Sequence, residues 1–319
     1  MVPIVAGVDS STQSVKVVLR DAESGELIAQ TSRPHPDGTE VDPRHWHQAL
    51  DSALKELASH PIDAISIAGQ QHGRVALDAS GEVIRPALLW NDTRSSSEAE
   101  EINKEFPNIH QRTGSKLVAS FTASKVRWLS KNEPESAKKV AAIALPHDWL
   151  SWKLTGSRKL EDLFTDRSDA SGTGYFNPST NEYLPEILKS ILKSDRKVVL
   201  PKIVSANQFG AKSLQGIPIA AGCGDNAGAA LGINSQIGDM VISLGTSGTT
   251  FISTNTATND RSGEVAGFAD ATGRFLPLVC TLNAARILDA ATRILGKSHD
   301  DVGALALTAK PGANGLSLL

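Results

Sequence analysis

Only two cysteines, Cys223 and Cys280, occur in 319 residues, so no disulfide framework can carry the fold. A reducing compartment, the cytoplasm, is the expected setting. No apolar run reaches the roughly 20 residues that a membrane-spanning helix needs, and no membrane partner is expected. The apolar opening "MVPIVAGVDSS" is short and has neither a charged leading region nor a small-residue cleavage site, which argues against a signal peptide. An excess of one charge is missing too. Thirty-two basic side chains face thirty-five acidic ones, for a net charge of -3, and the Lys and Arg form no stripe. Nucleic acid is therefore not an expected partner. What is present, 40% hydrophobic and 21% charged residues, is the balance of a globular protein long enough for two domains.

The stretch "IVAGVDSSTQSVKVVLRDAESGELIAQTS" predicts a β-meander: a strand to Val8, a polar turn over 9–14, a strand over 15–20, and a turn at Gly25 into a third. In "DPRHWHQALDSALKELASH", Asp42 is a cap, Pro43 suits a first helical turn, and apolar spacing from Trp46 to Leu57 is helical. "IDAISIAGQQHG" reads as a strand ending at Gly69 and a loop holding Gln70, Gln71 and His72. Helices are expected over 98–106, 122–130 and 148–154, with Trp128, Trp149 and Trp152 in the core. Later come a buried strand in "IPIAAG", a small-residue helix over 226–231, buried strands about the turn of "DMVISLGTSGTTFISTN", and a helix over 282–295. The closing "GANGLSLL" begins a strand that nothing completes, so the second domain is expected to be incomplete.

The heptapeptide "GCGDNAG", residues 222–228, admits several chemistries. Gly222, Gly224 and Ala227 match a dinucleotide fingerprint, but the next strand, "MVISLG", lacks the acidic end that would hold a ribose. "GKS" at 296–298 has Ala291 where a phosphate loop needs its first glycine, and "GTSGT" at 245–249 lacks the last glycine of a hydrolase elbow. Cys223 reads as a small packing residue. His45 and His47, two apart on a helix, point to different faces and make no metal pair.

A phosphate reading uses two turns together. "GVDSSTQSVKVVL" and "ISLGTSGTTFIS" each place a hydroxyl-rich turn between apolar strands, as a domain duplicated around one ligand would. Either turn alone reads as a plain hairpin. Together, with carboxylates at Asp9 and Asp225, they suggest a cleft for a nucleotide and its metal ion.

Several ordered segments resemble the FGGY family of carbohydrate kinases: "GVDSSTQSVKVVL", "GQQHGRVALD", "LLWNDTRS", "LPHDWLSWKLTG", "GCGDNAGAALG" and "SLGTSGT". In "SFTASKVRWLSKN", Thr122, Lys125, Trp128 and Lys131 stand at the positions of a family signature. The resemblance implies a two-domain α/β fold, actin/hexokinase-like (ribonuclease H-like), with domains at 1–230 and 231–319. It implies transfer of phosphate from ATP, with Mg²⁺, to a small sugar, foremost the ketopentose D-xylulose. Ribulose, a related polyol, or sugar binding without catalysis stay open, as does assembly as a homodimer. By the same resemblance Asp225 is the general base and Asp9 the metal-side carboxylate. The phosphates would lie on Ser10, Ser11, Thr12, Gly245, Thr246, Ser247 and Gly248. Gln71 and His72 would face the sugar with Trp90, Asn91, Arg94 and Asn226 around it. Gln71 replaces the family's usual Met, and His72 also reads as a plain water-bound loop histidine.

Overall fold

The computed structural model describes residues 2–245, 247–281 and 283–316. Strands β1 (Ile4–Ser10), β2 (Ser14–Asp21), β3 (Leu27–Pro34), β4 (Ala64–Gly69), β5 (Phe209–Lys212), β6 (Pro218–Ala220) and β7 (Cys223–Gly224) form one mixed sheet. Its order is β5-β6-β4-β1-β2-β3, with β7 also on β4. The alternation in "SVKVVLRD" turns Val15, Val17 and Leu19 to one face, where all three are fully buried. Helix Pro43–Glu56 covers that face with Trp46, Leu50 and Ala53, and each large apolar side chain so buried contributes about 1.5–3 kcal/mol. The helix starts as expected: Asp42 accepts a hydrogen bond from the Arg44 N–H at 3.0 Å, with Pro43 in the first turn. Helix Pro146–Thr155 places Trp149 and Trp152 in the same core.

The first strand outruns its expected end. Asp9 and Ser10 pair with Lys16 and Val15 on β2 and with Ala68 and Gly69 on β4, so ladders on both sides carry β1 past Val8. On the far side of β4, Cys223 and Gly224 pair with Ala68 and Gly69. Three chain segments thus finish level with one another, at Ser10, Gly69 and Gly224.

A second sheet, wholly antiparallel, has β8 (Met240–Leu244), β9 (Gly248–Ile252), β10 (Ala266–Ala269) and β11 (Phe275–Thr281) in the order β8-β9-β11-β10. It meets the first part of the chain closely. The Gly267 N–H donates to the Gly114 carbonyl at 3.1 Å and to Ser115 Oγ at 3.0 Å. The expectation that β8 is buried fails: it is an edge strand, and Met240, Ile242 and Leu244 are all exposed. Trp128 is likewise half-buried rather than in the core, with the guanidinium groups of Arg85 and Arg94 each 5.3 Å from its ring centre. The last expected helix runs over Ala285–Leu295, and a further one, His299–Thr308, is capped by Ser298. Leu282 and the expected closing strand at 317–319 lie outside the described residues. Among the described residues, no helix is long and apolar enough to cross a membrane.

Gly222 is where backbone conformation and crowding coincide. Its φ is +76°, and a Cβ there would lie 2.5 Å from His147 Cδ2 and 2.6 Å from the Ile67 carbonyl oxygen. Gly216 has a similar φ of +85° but open space around it. Gly222→Ala is expected to cost about 2–4 kcal/mol, and Gly216→Ala only about 1–2 kcal/mol. Equal shifts of the two denaturation midpoints would contradict the packing described for Gly222.

Candidate active site

The level ends of β1, β4 and β7 send three loops to one edge of the sheet, where ligands commonly bind in open α/β structures. β1 leads into the turn of Ser11, Thr12 and Gln13. β4 leads into Gln70, Gln71 and His72. β7 leads directly into Asp225, the first residue of helix Asp225–Gly232. Thr12, Gln71, His72, Trp90, Asp225 and Asn226 line a cavity of about 450 Å³, which the second sheet closes with Gly245, Ser247 and Phe268. The two chain-distant turns therefore open onto the same space. A neighbouring cavity of about 640 Å³ shares Thr12, Trp90 and Ser247 and adds Ser11, Asn91 and Arg286.

Asn226 grips Asp225 twice, its N–H at 2.8 Å and its Nδ2 at 3.0 Å, both donating to Oδ1. Thr249 Oγ1 in turn donates to Asn226 Oδ1 at 3.2 Å, which links the start of helix Asp225–Gly232 to β9. Loss of water around Asp225 raises its pKa to about 7. The Asn226 N–H opposes that rise, and the neighbouring Asp9 charge adds to it. Asp9 itself has a raised pKa, again through desolvation, offset in part by Lys16.

His72 is buried and lies stacked on Phe121, with 5.0 Å between ring centres, and tilted against Phe268 at 5.1 Å. Burial, then the Lys125 charge, lowers its pKa to about 3, so the imidazole is neutral at the cavity wall. Buried Lys125 donates from Nζ to the Ala119 carbonyl at 2.7 Å and holds the loop bearing Ser120 and Phe121. Gln71 Nε2 donates to the Ser168 carbonyl at 3.0 Å, and Trp90 Nε1 to Thr12 Oγ1 at 2.9 Å.

Other expected residues are placed differently. Ser10 closes β1 fully buried, its hydroxyl without a hydrogen-bond partner. The Ser11 and Gly245 N–H groups are each taken up within their own hairpins, by the carbonyls of Ser14 and Ser247 at 3.0 Å. Gly248 is buried in β9 between Leu244 and Thr281. Thr246 lies outside the described residues. Arg94 lines neither cavity: Asp92 binds its fork through two bonds of 2.9 Å, and Glu40 at 2.8 Å. Asn91 borders only the larger cavity, with Oδ1 buried and unpaired.

Sequence reasoning missed the buried polar segment behind the cavity. His147 Nδ1 pairs with Asp169 Oδ2 at 2.6 Å, and its Nε2 faces the Ala221 carbonyl at 3.3 Å. Burial would lower the His147 pKa, but the Asp148 and Asp169 charges outweigh it and hold the ring protonated. His147, Asp148 and Asp169 offer ligand atoms within 4.8 Å of one another. Both ring nitrogens are already engaged, so the set is an ion pair. The available signal was "TDRSDASGTG" at 165–174, a run of acids and hydroxyls with no solvated-loop pattern.

Residues 4–232 match the N-terminal domain of the FGGY family of carbohydrate kinases. The chain belongs to that family, and it has the actin- and hexokinase-like α/β fold of those kinases. Its particular likeness is to xylulose kinases. That of Streptomyces coelicolor is 43% identical over 317 residues, covering 94% of this chain and 64% of that protein. The crystal structure of xylulose kinase from Bifidobacterium adolescentis superposes with a TM-score of 0.91 at 41% identity, covering 98% of this chain and 71% of that one. Gluconate kinase from Lactobacillus acidophilus, at 23% identity and a TM-score of 0.87, covering 98% of this chain and 67% of its own, shares the fold. The chain thus spans just under two thirds of the length of the Streptomyces protein.

The electrostatics of Asp225 can be measured directly. Its carboxyl resonance is expected to titrate near pH 7. Asp9→Asn removes a like charge and should lower that pKa, whereas Asn226→Ala removes the Nδ2 donor, keeps the N–H, and should raise it. Shifts of the opposite sign would refute the arrangement described.

Proposed function

We propose that the protein phosphorylates a ketopentose, D-xylulose to D-xylulose 5-phosphate, with ATP as donor and Asp225 as general base, in the cytoplasm. One observation carries the reading: a carboxylate with a pKa near neutrality borders a cavity that a hydroxyl-bearing turn from each half of the chain also borders. The likeness to xylulose kinases favours this sugar. In this reading the chain divides near residue 230, with the sugar on the first domain.

A sugar hydroxyl is a poor nucleophile. Asp225 accepts its proton as the oxygen forms its bond to the γ-phosphorus, the bond to the bridging oxygen breaks, and ADP leaves. General base catalysis of this kind contributes about 10²–10⁴-fold. Asn226 keeps Oδ1 of Asp225 oriented, leaving Oδ2 for the substrate. Gln71, neutral His72 and Trp90 line the sugar side, while Phe121 and Phe268 exclude water that would otherwise accept the phosphoryl group. Ser11, Thr12, Ser247 and Arg286 border the larger cavity, which suits the phosphates, with Arg286 supplying positive charge. Mg²⁺ fits the chemistry of this edge: Asp9 and Asp225 are neighbouring oxygen donors, and the Asp9 charge disfavours ionisation of Asp225. Asp9 would hold the ion, which when bound neutralises phosphate charge.

Turnover is best read on the protein carried to the length of its relatives, and sugar binding on the 319 residues by calorimetry. D-xylulose is expected to be phosphorylated faster than D-ribulose, L-ribulose or glycerol. Preference for another sugar would reassign the substrate, and absence of turnover with all four would end the kinase reading. Asp225→Asn should lower kcat by at least about 100-fold with the fold retained. Because the base acts only when ionised, kcat/KM should fall about tenfold per unit as pH drops below 7 and level off above it. A flat profile would remove Asp225 from the role of base.

A further inference from the structure

The short helix Arg167–Ala170 stands behind the cavity and lines none of it. Its surroundings nonetheless touch three parts of the cavity wall. Ser168 Oγ accepts the Gly224 N–H at 3.1 Å, one residue before Asp225. The Ser168 carbonyl accepts Gln71 Nε2 at 3.0 Å. Ser171 Oγ accepts the Ala269 N–H at 3.0 Å, beside Phe268 in the second sheet. Arg167, on the outer side, reaches the Arg274 carbonyl and lies 3.6 Å from Asp270.

Behind Ser168 the support is rigid. Asp166 accepts the N–H groups of Ser168 and Asp169 at 2.8 and 3.0 Å. Asp169 pairs with His147, whose other nitrogen meets Ala221 at the start of the Asp225 turn. Ser168, Asp169 and His147 are wholly buried. Contact across the turn is close enough that a Cβ on Gly224 would overlap the Gln71 amide. The base turn and the sugar-side glutamine therefore share one anchor.

We propose that Ser168 is a positioning residue for phosphoryl transfer: its hydroxyl fixes the backbone just before Asp225 while its carbonyl fixes Gln71, so base and sugar keep one spacing. The inference rests on the kinase reading. Ser168→Ala removes the hydroxyl and leaves the carbonyl. The Gly224 N–H then has no partner in a buried site, and the turn relaxes, while the hold on Gln71 persists. Misplacement of a catalytic group by a fraction of an ångström to 1 Å is enough to slow the step strongly while leaving ground-state binding largely intact.

Two readouts test this. On the protein at the length of its relatives, Ser168→Ala should lower kcat about 10- to 100-fold while KM for the sugar stays within about threefold. On the 319 residues, amide exchange at Gly224 should quicken at least about tenfold in the variant, with Ile67 in β4 unchanged. A kcat within about twofold of the parent, or a KM that rises in proportion as kcat falls, would overturn the proposal. So would unchanged exchange at Gly224, or equal quickening at Ile67, which would mark a general loss of stability. If the parent itself turns over no sugar, the kinase reading fails, and the exchange measurement still decides whether Ser168 anchors the turn.

Discussion

The register that sets Ser10, Gly69 and Gly224 side by side is the constraint on which the site depends. Parallel pairing of β1 and β7 with β4 makes three segments, remote in the chain, stop at one level. A shift of one residue in any of them would turn its side chains to the other face of the sheet. The loops that follow would then no longer meet. Glycines at two of the three ends let the start of helix Pro146–Thr155 and the Gln71 amide come closer than side chains would allow. At Gly69, a Cβ would lie 2.7 Å from that of His147.

Burial acts on the site in two opposite ways. Around Asp225 it raises the pKa and prepares a carboxylate to exchange a proton near neutral pH. Around His72 it removes charge altogether and leaves a neutral ring among phenylalanines. The cost of burying polar groups is met by specific partners: Lys125 spends its protons on loop carbonyls, and His147 pairs with Asp169. These partners also tie the loops to the scaffold. The same residues that satisfy buried charge are those that position the wall of the cavity.

Much of the first sheet was legible because its signals are local. Asp42 before Pro43, the alternation through Val15, Val17 and Leu19, and Gly69 after an apolar run each act within a few residues. Signals that depend on remote neighbours misled. Trp128 has the spacing of a core residue, yet two arginines from elsewhere flank its ring. β8 has the composition of a buried strand, yet among the described residues only one neighbour pairs with it. Helix His299–Thr308 starts at a Ser298–Asp301 capping box, whereas the sequence reading considers Ser298 only as the end of "GKS".

The candidate site divides in the same way. Residue types and their order in the chain drew attention to Asp9, Asp225 and the two hydroxyl-bearing turns, because binding phosphate calls for such groups, whereas His72 entered through the family resemblance. Which of them share a cavity was decided by strand register and by the docking of the second sheet at Gly114 and Gly267. Tertiary packing likewise drew Arg94 away to Asp92 and Glu40 and brought Ser168 and His147 behind the Asp225 turn. Covalent sequence specifies what each group can do, whereas pKa, orientation and spacing arise from desolvation and contacts that exist only once distant segments have packed.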